Sequence, residues 1–170
     1  LFVGRDAELT AFDAWLCQSP GPTRVFSITG MGGVGKSTLL LRMEEHARAM
    51  GFPCVWIDGR ACGRTPAGFL AYLDTVHWAE FDPRPGTGSL GTSLARIGPR
   101  AVWCIDNYEE LEPIDAWLRE RFFANLPATG HLIVLASRPR LSENWRNDPG
   151  WSVRLVEFLL EPFSRAESKR

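Results

Sequence analysis

Residues 30–38 read GMGGVGKST, which places Gly30, Gly35, Lys36 and Ser37 in the spacing G-x-x-x-x-G-K-S. Phosphate chemistry gives each residue type a reason to be there. Gly30, Gly32, Gly33 and Gly35, with Val34 in the same turn, let the backbone bend so that successive N–H groups converge on anionic oxygens. A helix opening near Lys36 would add the positive end of its dipole. Lys36 offers a mobile point charge to β- and γ-phosphates, Ser37 a hydroxyl ligand for Mg²⁺, and Thr38 a donor for an α-phosphate. The plain alternative is a glycine-rich turn capping a core helix. It would also have to supply the flanking strand and helix, and to spend one of only two lysines, Lys36 and Lys169, at this position.

A second group of chemical residues lies in AVWCIDNYEEL, residues 101–111. Asp106 ends an apolar run, where a carboxylate can hold Mg²⁺ beside a phosphate loop. Asn107 follows it; an amide can orient water but cannot take its proton at neutral pH. Three carboxylates are candidates for the general base, with Glu109 first, Asp58 second and Glu110 third, each with a solvated loop acid as the alternative. HLIVLASRP (131–139) ends in Ser137 and Arg138. Arg138 at a strand tip could report the presence of a γ-phosphate, or could be a solvated arginine. GTGSLG (86–91) matches a dinucleotide fingerprint, but it follows FDPRP rather than a strand and reads as a loop.

These residues need a scaffold that delivers them to one edge. RVFSITG (24–30), CVWIDG (54–59), AVWCID (101–106), HLIVLAS (131–137) and VRLVEFLL (153–160) read as buried strands. Helix-like stretches alternate with them. DAELTAFDAWL carries Leu9, Phe12, Ala14 and Leu16 near helical spacing, and STLLLRMEEHARAM carries Leu39, Leu40, Met43, Ala47 and Met50. AGFLAYLDTVHW, SLGTSLARIG and IDAWLRERFFANL read as further helices, and FDPRPGTG as a loop. The alternation predicts an α/β fold with a mainly parallel sheet and one domain over residues 1–170.

A chain of 170 residues can bury a full core, and 45% apolar with 23% charged residues is ordinary for a globular protein. The net charge of −1 has no like-charge block to require nucleic acid or a membrane surface. The longest apolar runs are too short to span a bilayer, so a soluble, cytoplasmic protein is expected. Cys17, Cys54, Cys62 and Cys104 match no zinc spacing and read as buried, reduced thiols, with Cys54 and Cys62 close enough in the chain to approach each other. The start at Leu1 and the end in SRAESKR suggest a fragment of a longer chain.

Taken together, these motifs resemble the nucleotide-binding core of STAND NTPases, the signalling branch of AAA+-like P-loop proteins that includes NB-ARC and related bacterial regulators. LFVGRDAEL resembles that family's N-terminal hhGRxxE element, which implies adenine contacts from Val3, Gly4 and Arg5, with Glu8 supporting the turn. GMGGVGKST is similar to its phosphate loop, CIDNYEEL to its Asp motif, LIVLASRP to its first sensor strand and LLEPFSRAE to its exit into a helical lid. The resemblance implies a three-layer fold with a five-stranded parallel sheet in the order 5-1-4-3-2, and ATP or ADP with Mg²⁺ as ligands. It also implies a slow ATPase acting as a regulated switch, with self-association of the full-length chain. The effector, the lid, the winged helix and any contact with nucleic acid would belong to segments outside this one. Rival readings are an efficient AAA+ motor or loader, a small-molecule phosphotransferase, and a degenerate scaffold that binds no nucleotide. The kinase reading is weakened by VGRDAEL, and the scaffold reading by the intact Gly35, Lys36, Ser37, Thr38 and Asp106.

Overall fold

A computed structural model describes residues 5–18, 20–76 and 97–162. Five strands, β1 (Arg24–Gly30), β2 (Cys54–Asp58), β3 (Ala101–Asp106), β4 (His131–Ser137) and β5 (Leu155–Leu160), form one sheet. Every pairing is parallel, and the order is β2-β3-β4-β1-β5. Read from the β5 edge this is 5-1-4-3-2. Because all strands run the same way, Gly30, Asp58, Asp106 and Ser137 finish at the same edge of the sheet.

Both faces are covered, and this explains why the central strands are apolar almost throughout rather than alternating. In β3, Val102 and Cys104 join the core with α1 (Asp6–Cys17) and α2 (Lys36–Ala49), which contribute Phe12, Trp15, Leu16, Leu39, Leu40 and Met43. Ala101, Trp103 and Ile105 join the opposite core with α3 (Pro66–Thr75) and the segment after β3. The same period of two puts Asp106 and Asp58 on the α2 face, the face that carries the phosphate loop.

Several expectations need correction. IDAWLRERFFANL is not one helix. A 3₁₀ helix over Tyr108–Ile114 contains Pro113, which lacks a donor N–H and cannot lie inside a regular α-helix without breaking a hydrogen bond. One α-helical turn (Asp115–Trp117), a π turn (Leu118–Phe122) and a further 3₁₀ turn (Phe123–Asn125) follow. Two short helices, Glu143–Asn147 and Pro149–Ser152, have too few residues to show a period in the sequence. β5 begins at Leu155 rather than at residue 153. In α1 it is Trp15, not Ala14, that is buried; in α2 Met50 is exposed. Cys54, Cys62 and Cys104 are buried free thiols, whereas Cys17 is exposed. The helix expected over SLGTSLARIG and the FDPRPGTG loop lie mostly or wholly outside the described residues. No described helix is long and apolar enough to cross a membrane.

Candidate functional site

The phosphate loop leaves β1 at Gly30, where there is no room for a side chain: a Cβ would stand 2.6 Å from the Leu160 carbonyl oxygen. Gly33 (φ 78°) and Gly35 (φ 97°) have open space around them, so they are glycines for conformation rather than for room. Gly35 is the N-cap of α2, and no side chain caps that end. The first turn of the helix therefore keeps its N–H groups directed at the loop, as an anion site requires. Ser37 and Thr38 are exposed there, and Val34 is buried beneath them. Lys36 Nζ donates to the Gly30 and Met31 carbonyls at 2.7 and 2.9 Å, which folds the ammonium back over the mouth of the loop. Burial lowers the Lys36 pKa; Glu109 opposes that shift, Arg138 adds to it and Asp106 opposes it. Three residues from the ends of β3 and β4 thus act on the phosphate-loop lysine.

Arg5 is buried, and its guanidinium donates to the Val34 carbonyl at 2.9 Å and to the Glu161 carbonyl at 3.0 Å. It ties the start of α1 to the inside of the phosphate loop and to the chain leaving β5. Val3 and Gly4, expected beside an adenine, lie outside the described residues. Glu8 is buried in the first turns of α1.

At the tip of β3, Asp106 is nearly buried, and its Oδ1 accepts the Asn107 N–H at 2.9 Å. Asn107 sits in the left-handed region (φ 53°), the one such non-glycine among the described residues. Asparagine tolerates that conformation better than other side chains. Its amide Nδ2 donates to Asp58 Oδ1 at 3.0 Å. β2 and β3 are locked together at their ends, with Asp58 opposite Asp106 and the Gly59 N–H donating to the Asp106 carbonyl at 2.9 Å. A Cβ on Gly59 would meet the Asn107 carbonyl at 2.4 Å, so the lock requires glycine. Sequence reading missed this pair; the signal available was an amide one place after a strand-end acid, with a second acid ending the neighbouring strand.

The three candidate carboxylates have different partners. Asp58 accepts from two neutral donors, the Asn107 amide and the Arg60 N–H at 3.0 Å. Glu110 pairs with the Arg64 guanidinium. Glu109 accepts the Arg138 backbone N–H at 3.4 Å, and its other oxygen lies 3.6 Å from Arg138 Nε. The Arg138 side chain is 62% exposed and that of Glu109 21%, and a pair this open contributes at most about 1 kcal/mol. Ser137 is buried and donates to the Pro139 carbonyl at 2.6 Å, which turns the chain after β4.

The donor set suits Mg²⁺. An exposed serine hydroxyl opens α2, and a strand-end aspartate that makes no ion pair among the described residues lies on the same face of the sheet; hard oxygen donors of this kind suit a hard cation. No cluster of three or more His, Cys, Asp or Glu with metal-binding geometry occurs among the described residues.

No family model matches the chain, and no curated protein matches it in sequence. Solved structures do match. An Aeropyrum pernix Orc1 protein in complex with DNA aligns over 99% of this chain and 48% of its own, at 19% identity and a TM-score of 0.59. Drosophila ORC bound to DNA aligns over 97% of both chains at 12% identity and a TM-score of 0.57. AMPPCP-bound DnaA from Aquifex aeolicus aligns over 99% of this chain and 51% of its own, at 15% identity and a TM-score of 0.50. The chain spans about half the length of the Orc1 and DnaA chains. At these identities the likeness is one of fold alone: a three-layer α/β fold on a five-stranded parallel sheet, with the glycine-rich loop, Asp106 and Arg138 at the ends of the strands.

Proposed function

We propose that this chain is the nucleotide-binding core of an AAA+-type ATPase, which binds Mg·ATP and ADP and hydrolyses ATP. The observation that carries the reading is the uncapped start of α2 behind the glycine turn at Gly33 and Gly35, with Lys36 folded over the loop and Asp106 ending β3 at the same edge of the sheet. In this reading the loop N–H groups and Lys36 hold the β- and γ-phosphates, and Thr38 the α-phosphate. Ser37 and Asp106 hold Mg²⁺, which when bound neutralises charge on the β- and γ-oxygens. Arg138 contacts the γ-phosphate.

Two versions differ in what turnover is for. The neighbours favour a motor or loader: two are bound to DNA, and one carries AMPPCP, a nucleotide analogue. The site favours slower use of ATP, as in a STAND-type signalling or transcriptional switch. Asn107 stands where many hydrolases have a carboxylate, and Glu109 is paired with Arg138. Self-association driven by nucleotide fits both. Single-turnover hydrolysis of Mg·ATP separates them. A rate well under about 1 s⁻¹ supports the switch, and a rate above it, in the usual enzyme range, supports the motor. Failure to bind either nucleotide would overturn both.

A further inference from the structure

Arg138 and Glu109 form the only ion pair that overhangs the phosphate loop among the described residues. A Cβ on Gly32 would lie 3.9 Å from Arg138 Nε, so the arginine stem crosses above the loop itself. Glu109 holds it there through two contacts, the Arg138 backbone N–H at 3.4 Å and Nε at 3.6 Å. Both contacts are longer than a well-formed charge-assisted hydrogen bond. The pair stands beside Gly32, in the loop over which the Lys36 ammonium is folded.

We propose that Glu109 sets how strongly the chain distinguishes ATP from ADP, by competing with the γ-phosphate for Arg138. The proposal rests on the nucleotide-binding reading above and adds a regulator to it. With ADP, Arg138 stays on the Glu109 carboxylate. A γ-phosphate brings more charge and more acceptor oxygens, arranged for a bidentate guanidinium contact, and takes the arginine. Glu109 is then released. A cavity of ≈ 240 Å³ behind it, lined by Tyr108, Asp115, Ser137, Arg140 and Ser142, gives its side chain room to turn. Because the competing pair exists only until the γ-phosphate arrives, Glu109 weakens ATP more than ADP, which makes it a determinant of the switch ratio rather than of phosphate affinity as such.

Calorimetry with Mg·AMPPCP and Mg·ADP tests this on the wild-type chain, Glu109→Gln, Arg138→Ala and the double variant. Glu109→Gln should raise the AMPPCP-to-ADP affinity ratio by about three- to fivefold, the most that so open an ion pair can hold back. Arg138→Ala should lower the ratio, and Glu109→Gln should have no further effect on it in that background. An equal rise in both backgrounds would show a general charge effect and overturn the proposal, as would an unchanged ratio in Glu109→Gln. Arg138→Gln provides a second arginine variant if Arg138→Ala is poorly folded. Lack of binding by the wild-type chain would instead overturn the nucleotide-binding reading itself.

Discussion

The two faces of the sheet are built by different means. On the α2 face, regular helices α1 and α2 bury Leu16, Leu39, Leu40 and Met43 together with Phe12 and Trp15, and polar groups are left reachable at the strand ends. On the opposite face the cover is irregular and aromatic. Phe122 packs against Phe69, Trp103, Trp117 and Phe123 with ring centres 5.1 to 5.8 Å apart, and Trp145 packs against Trp151 at 5.3 Å. A buried carboxylate, Asp115, fixes this face further. It accepts the Tyr108 hydroxyl at 2.7 Å, the Trp145 indole N–H at 2.8 Å and the Ser142 hydroxyl at 3.2 Å. That carboxylate joins the segment after β3 to the segment after β4, the two that carry Glu109 and Arg138. Labour is therefore divided between the faces. One leaves polar groups reachable at the strand ends; the other gathers Tyr108, Ser142 and Trp145 on Asp115 and holds the strand ends in place.

Substitutions on the closed face should therefore act on stability and spare nucleotide affinity. Phe122→Ala, which empties the centre of the aromatic cluster, should cost about 4 kcal/mol in urea unfolding. A loss below about 1 kcal/mol would mean that the cluster is not a packed core. Asp115→Ala strands a buried hydroxyl and a buried indole N–H, and should cost about 3 kcal/mol. If its folded form also loses nucleotide affinity, the division between the faces is less sharp than described.

The third effect is smaller and depends on pH. His131 is fully buried, its Nδ1 accepts the Trp103 indole N–H at 3.3 Å, and burial lowers its pKa from 6.5 to about 4. The histidine is neutral in the fold, so between those two values the unfolded chain binds more protons. Stability then falls as the pH drops through 6.5 toward 4, by about 2 kcal/mol at pH 5. His131→Gln should remove this part of the slope. An unchanged slope would mean that the acid sensitivity lies in other groups.

The same division explains what could be read from the sequence. The glycine turn and helix start over residues 30–38 were legible because their demands are local: glycines at positive φ where the chain must bend from β1 into α2. Strands β1, β3 and β4 were legible because burial on both faces makes them nearly continuous apolar runs, and the edge strands β2 and β5 because they too are mostly apolar, although β5 is only partly buried. Residues 108–125 were not, because aromatic contacts and Pro113 override the helical period there. The partners of the acids were not legible either. Nothing in the local sequence pairs Glu110 with Arg64 across 46 residues or Asn107 with Asp58 across 49, since parallel strand register brings them together.

Whether Lys36 and its glycine turn form a nucleotide site is decided by titrating Mg·ATP into the wild-type chain and Lys36→Ala. Lys36 is partly exposed and bonds only to loop carbonyls, so its loss should leave the fold intact. The expected result is saturable binding by the wild-type chain and a loss of about 100-fold or more in Lys36→Ala, as befits a charge-assisted contact to phosphate. Equal affinity in the two proteins would contradict the assignment.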